Sequence, residues 1–239
     1  MAGALLELDG VSAAYGPFRA LFGASLEVPE GSAVALFGHN GSGKSTVARV
    51  STGLIPATGG TVRFDGRDVT RLPAWQLARL GIAHAPEGRS VFASLSVEEN
   101  LELTFRQSLG NSGMAAAMER AYAAFPALNQ RRRQMAGTLS GGEQRMLSLA
   151  KVLANPPRLL VVDELSLGLA PLVIDTVFQT LRAVREAGTS LLVIEQHIGR
   201  ALELADYAVV LSKGEVVRQG PAAEMADLAA DILPSTAEG

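Results

Sequence analysis

Gly38-His39-Asn40-Gly41-Ser42-Gly43-Lys44-Ser45 fits the pattern G-x-x-x-x-G-K-[ST]. It follows the apolar run Ser32 to Phe37 and precedes a segment, Lys44 to Leu54, whose Val47, Val50 and Leu54 recur at helical spacing. Strand, glycine-rich turn and helix in that order is the context in which the pattern has a mechanism. The glycines let backbone N–H groups turn inward around phosphates, and the positive end of the following helix favours a triphosphate. Lys44 would reach the β and γ oxygens and Ser45 would ligate Mg2+, with Gly38, Asn40, Gly41, Ser42, Gly43 and Thr46 as the rest of the nucleotide cradle. His39 stands at a variable position and reads as a loop residue without catalytic duty.

Leu159-Leu160-Val161-Val162-Asp163-Glu164 is an apolar strand that ends in two carboxylates. In an α/β sheet ligands gather at the carboxyl ends of the strands, so both acids belong beside the phosphates. Asp163 would hold the Mg2+ shell, and Glu164 would orient the attacking water or take its proton.

Around these two segments the first third reads as strands: Leu5 to Val11, Ala20 to Val28 and Ser32 to Phe37, separated by Gly, Pro and Asn signals. Ser96 to Arg133 reads as helix throughout, with Ser96 and Glu99 spaced as a capping box and a Gly110 to Gly113 break. From Gly141 helices and short strands alternate: Gly141 to Ala154, Leu159 to Val162, Pro171 to Ala187, Ser190 to Ile194. That alternation predicts parallel strands with helical crossovers. Tyr207 to Gln219 predicts a hairpin about Lys213-Gly214, and Pro221 to Leu233 a closing helix. The fold class expected is α/β: a P-loop core with a parallel sheet, an antiparallel part at the N-terminus and a helical insertion.

Of the 239 residues 48% are hydrophobic and 19% charged, enough for a sizeable core. The longest uncharged stretches, Gly31 to Gly43 and Val50 to Val62, have thirteen residues and are broken by glycines, below the ~20 a membrane-spanning helix needs. A net charge of -3 argues against a protein that holds nucleic acid by its phosphates. The basic run Arg131-Arg132-Arg133 reads as a solvated helix end, and His84 as a satisfied polar residue. With no Cys there is no disulfide framework, thiolate metal site or Cys nucleophile.

Leu139-Ser140-Gly141-Gly142-Glu143-Gln144, before a helix, resembles the LSGGQ signature of ABC transporter ATPases. The resemblance implies that this segment closes over the γ-phosphate of ATP held by a second subunit, with Ser140 and Gly142 in contact. It also identifies Tyr15 with the aromatic that stacks on adenine and His197 with a histidine that contacts the γ-phosphate, as a catalytic residue beside Glu164. Pro86-Glu87-Gly88-Arg89, Ala136-Gly137-Thr138 and Ser166-Leu167-Gly168-Leu169-Ala170-Pro171, with Phe125-Pro126 and Arg131 to Gln134, look like the LivF-type ATPases of branched-chain amino-acid importers. Related importers of other amino acids, urea or amides use similar ATPases, so the solute comes only as a class.

The family pattern runs from about Leu5 to Gln219, which implies one ABC ATPase domain over 1–239, with 96–136 as the helical subdomain and 1–95 plus 137–239 as the core. Glu87 stands where most relatives carry Gln, and as a carboxylate it joins Ser45 and Asp163 as a Mg2+ ligand. Leu165 replaces a proline and Ala170 an aspartate; neither removes a group that does chemistry. ATP and Mg2+ are the implied cofactors. The implied partners are a second ATPase subunit (a paralogue or a second copy), transmembrane permease subunits and, indirectly, a solute-binding protein, with no nucleic acid. The chain would sit in the cytoplasm on the inner face of the membrane. The helical insertion carries Leu101, Leu103, Phe105, Met114, Met118, Tyr122 and Phe125, whose plain reading is core; the expectation instead is that a patch of the insertion, with the Glu87 loop, forms a groove for a short permease helix.

Overall fold

The computed structural model describes residues 3–86, 90–153, 155–195 and 198–225. Strand β1 (Ala4–Tyr15) turns at Gly16 into β2 (Phe18–Pro29), and the two pair antiparallel along their length. Leu6 and Leu8 are buried while Glu7 and Asp9 reach solvent, the period of a half-buried strand. β4 (Gly59–Phe64) and β5 (Arg67–Asp68) complete this sheet in the order β2-β1-β4-β5.

A second sheet has the order β10-β9-β3-β8-β7-β6. It holds β3 (Ala33–Phe37), β6 (Ile82–Ala85), β7 (Leu159–Asp163), β8 (Ser190–Ile194), β9 (Tyr207–Ser212) and β10 (Glu215–Pro221). All neighbours are parallel except the β9–β10 hairpin, which turns at Lys213-Gly214 as its sequence predicts. β3, β7 and β8 are buried from end to end because both faces are covered, and so they read as unbroken apolar runs. Alternate side chains serve two cores. Ala35, Phe37, Leu160, Val162 and Val193 pack towards Leu101, Phe105, Leu147 and Leu181. Val34, Leu36, Val161, Leu192 and Ile194 pack towards the first sheet with Val47 and Leu77.

The helices are α1 (Lys44–Ser51), α2 (Ala74–Leu80), α3 (Val97–Ala124), α4 (Pro126–Gln130), α5 (Gly141–Val152), α6 (Pro171–Glu186) and α7 (Ile198–Leu204). The helical stretch expected over Ser96 to Arg133 is interrupted at Gly110, as its glycine break predicts, and again at Phe125, where no break was expected. α3 has a non-helical Gly110 inside it and stops at Ala124, because Phe125 precedes a proline and takes φ −130, ψ 77. Pro126 then opens α4, where its missing N–H costs nothing. α1 ends at Ser51 rather than Leu54, since Gly53 takes φ 67. Pro221 closes β10, the residues 222–225 that follow it are helical as the sequence reading expects, and 226–233 lie outside the described residues. β4, β5, α2 and β6, between Ile55 and Ser96, have no counterpart in the sequence reading.

Strand order positions the site. From β3 the chain crosses to β6 and β7, returns to place β8 between β7 and β3, then passes to β9 on the far side. Such a reversal opens a crevice beyond the carboxyl ends of the strands, and the loops after β3, β7 and β8 meet there.

Candidate functional site

The loop after β3 leads into α1 through Gly43, whose φ of 105 is left-handed. A side chain at Gly43 would meet the Ala20 carbonyl oxygen and Leu21 Cδ2, both at 2.9 Å, so only glycine passes. Lys44 is buried, and its Nζ donates to the carbonyls of Gly38 (2.8 Å) and His39 (3.1 Å). The ammonium thus sits inside the loop's own curve, 3.8 Å from Oε1 of Glu164.

Ser45 Oγ donates to Asp163 Oδ1 at 3.2 Å, which ties the start of α1 to the end of β7. Asp163 and Glu164 are both buried. Glu164 takes φ 48, an uncommon backbone state for a residue with a side chain, and its N–H donates to the Ile194 carbonyl at 2.9 Å. Strain of this kind persists where surrounding structure holds it, and here it turns the carboxylate towards Lys44. Phosphate loop, cation and two carboxylates are brought together by residues 118 positions apart in the chain.

Among the described residues no cluster of three or more His, Cys, Asp or Glu could hold a metal by itself. Ser45 and Asp163 supply one hydroxyl and one carboxylate. That donor set fits Mg2+, which keeps waters and takes further oxygens from a nucleotide's phosphates. Glu87 and His197, the remaining metal and catalytic candidates, lie outside the described residues.

Tyr15 ends β1 with its ring half exposed. Arg49 of α1 donates to the Tyr15 hydroxyl at 3.0 Å, with its guanidinium 5.8 Å from the ring centre. The guanidinium lies over the ring from the last turn of α1, and the Tyr15 side chain stays partly exposed.

The signature segment forms a second corner. Ser140 caps α5, accepting from the Glu143 N–H at 3.3 Å, and Glu143 Oε2 accepts from the Ser140 N–H and hydroxyl, each at 2.9 Å. A side chain on Gly142 would meet Val173 Cγ1 of α6 at 3.0 Å, so glycine there allows close packing. Leu139 and Gln144 turn inward, Gln144 Nε2 donating to the Ala136 carbonyl at 2.9 Å. Only Ser140 to Glu143 present themselves outward, narrower than the six-residue expectation.

Two plain readings of the sequence change. Arg131 is no free end: its Nε lies 2.7 Å from Glu143 Oε1. His84 is not satisfied, for its Nε2 is buried without a hydrogen-bond partner and burial holds the imidazole down at about 4, with Arg49 nearby acting the same way. Sequence reading also passed over Glu195. Buried at the end of β8, it accepts from the Ser166 N–H at 3.1 Å and, closer still, from the Ser166 hydroxyl. Its signal was a carboxylate ending an apolar strand, as in β7.

A glycine-rich strand-to-helix turn around a buried lysine, with carboxylates on a neighbouring strand end, defines a P-loop nucleotide-binding protein. The sequence profile described as ABC transporter matches residues 21–166, and the chain belongs to that family as an ATP-hydrolysing, nucleotide-binding transporter subunit. It is 41% identical over 213 residues to the high-affinity branched-chain amino acid transport ATP-binding protein BraG of Pseudomonas aeruginosa, covering 89% of this chain and 91% of that one. With the probable branched-chain amino acid transport ATP-binding protein LivF of Archaeoglobus fulgidus it shares 34% over 222 residues, 92% and 94% of the two chains. A crystal structure of an ABC transporter ATP-binding cassette in its ADP conformation superposes with a TM-score of 0.83 at 26% identity, over 96% of each chain. No helix among the described residues is long and apolar enough to cross a membrane.

Proposed function

We propose that this chain is the motor of an importer for branched-chain or related hydrophobic amino acids. Two such subunits close on two molecules of MgATP, and hydrolysis reopens them. The observation that carries the solute class is the 41% identity to a branched-chain amino acid transport subunit along 89% of the chain.

In this reading the triphosphate lies in the Gly38 to Ser45 loop, with Lys44 on its β and γ oxygens and the Tyr15 ring on adenine. Ser45 and Asp163 hold Mg2+, joined by Glu87; when bound, the ion neutralises charge on the phosphates. Glu164 takes the proton of the water whose oxygen bonds to the γ-phosphorus, while the bond to the β-γ bridging oxygen breaks and leaves with ADP. Ser140 to Glu143 face the triphosphate of the second subunit, which is another copy or a related ATPase. His197 belongs to the same γ-phosphate contact.

The permease would dock where a groove of about 560 Å³ opens between the core and the helical insertion. Thr104 and Ser108 of α3, Ala74 and Ala78 of α2 and Lys151 of α5 line it, and Pro86 and Ser90 flank the 87–89 loop at its rim. The α3 residues here are not among the apolar ones that the sequence reading names. Leu101, Phe105 and Phe125 are core, Met114, Met118 and Tyr122 pack against it, and Leu103 is exposed elsewhere.

Uptake of labelled leucine, isoleucine and valine would be compared in cells lacking this gene and in cells given it back as wild type or Glu164→Gln. Restoration by wild type alone supports the reading; unchanged uptake in the deleted strain refutes the solute class.

A further inference from the structure

The chain contains two capping boxes of the same design, and they differ in one partner. At the start of α3, Glu99 Oε2 accepts from the Ser96 N–H (2.7 Å) and hydroxyl (2.8 Å), and Ser96 Oγ accepts from the Glu99 N–H at 3.2 Å. Those bonds hold the Glu99 carboxyl below the usual range. At the start of α5, Glu143 makes the same three bonds with Ser140 and then a fourth contact, Arg131 Nε at 2.7 Å. Among the described residues Glu99 has no such cation. Capping a helix therefore does not require the arginine.

Arg131 comes from another element. It follows α4, where its N–H donates to the Leu128 carbonyl at 3.1 Å and its own carbonyl accepts from Gln134 at 2.8 Å, so its position is fixed by a turn. What it faces is the carboxylate at the N-terminal end of α5, the end whose free N–H groups attract anions. A carboxylate there without a cation beside it would repel an approaching phosphate.

We infer that Arg131 is a positioning residue of the shared ATP site: it neutralises Glu143 where that carboxylate caps α5, so the signature corner can meet a second subunit's triphosphate. This rests on the proposal that Ser140 to Glu143 face the nucleotide of another subunit. Arg131 touches no substrate in this account and acts through Glu143.

The purified chain tests it as four proteins: wild type, Arg131→Ala, Glu143→Gln and the double variant. ATPase rate, ATP affinity and melting temperature are measured for each between low and high salt. The inference expects Arg131→Ala to lose about tenfold in rate at low salt, with ATP affinity kept and the loss shrinking as salt screens the carboxylate. Adding Glu143→Gln to Arg131→Ala should bring the rate back to that of Glu143→Gln alone. If the ion pair only braces α4 against α5, the double variant stays as slow as Arg131→Ala and salt does not help, which overturns the inference. Arg131→Ala turning over like wild type overturns it too. If wild type itself shows no cooperative, ATP-driven pairing, the reading beneath it fails, and that is seen before any variant is made.

Discussion

The corner around Lys44 and the corner around Ser140 are built in opposite ways. In the first, a buried cation, a buried pair of carboxylates and a hydroxyl contact one another and the backbone of the loop after β3. In the second, the side chains of Ser140 and Glu143 bond to each other and to one arginine among the described residues, at a helix start. The first gathers Lys44, Ser45, Asp163 and Glu164, to which the proposed hydrolysis gives its cation, metal ligands and proton acceptor. The second has an anion-binding end and nothing of its own to bind. In the proposed function, a chain carrying both is a subunit that lends one corner and keeps the other.

Breaking the first corner should cost most. Glu164→Gln removes the proton acceptor, and steady-state hydrolysis should drop ~10²–10⁴-fold while ATP still binds in a filter or fluorescence assay. Ser140→Arg puts bulk and charge on the lent corner. We expect turnover to fall about 10²-fold with each chain's own ATP affinity within about twofold of wild type. Equal loss of affinity would mean that the signature serves its own chain's nucleotide, and the contrast between corners would collapse.

The loop joining β7 to α6 sharpens the contrast through stability. Ser166→Ala removes the hydroxyl that donates to buried Glu195 and leaves the backbone N–H bond in place, and denaturant unfolding should lose about 1–3 kcal/mol. The smallest effect concerns His84. Its folded value near 4 lies below the ordinary 6.5, so the unfolded chain binds the extra proton between those limits. Stability therefore falls as pH drops from about 6.5 to about 4, and His84→Leu should flatten the melting temperature across that window.

Much of this was legible because chemistry and pattern coincide. The loop from Gly38 to Ser45 has a spacing that only phosphate explains, and Asp163-Glu164 end an apolar run, so their meeting at strand ends follows from sheet geometry. The hairpin at Lys213-Gly214 was equally plain. β4, β5, α2 and β6 were not, since they are short, and their partners β1 and β7 lie far off in sequence. The helix over Ser96 to Arg133 overran because its apolar spacing continues past Phe125, and only the backbone restriction before Pro126 ends it. Arg131 looked like a solvated charge for a related reason: its partner is twelve residues on and in another helix. Glu195 and His84 needed the tertiary structure to show one buried with donors and the other buried without.

The most direct test of the split site mixes two inactive proteins, Lys44→Ala and Ser140→Arg. In a mixed pair one site keeps an intact Lys44 opposite an intact Ser140. At equal amounts half of the pairs are mixed, and turnover should recover to about a quarter of wild type. No recovery at any ratio, with both variants folded and the Ser140→Arg chain still binding ATP, would contradict a site shared between two copies of this chain.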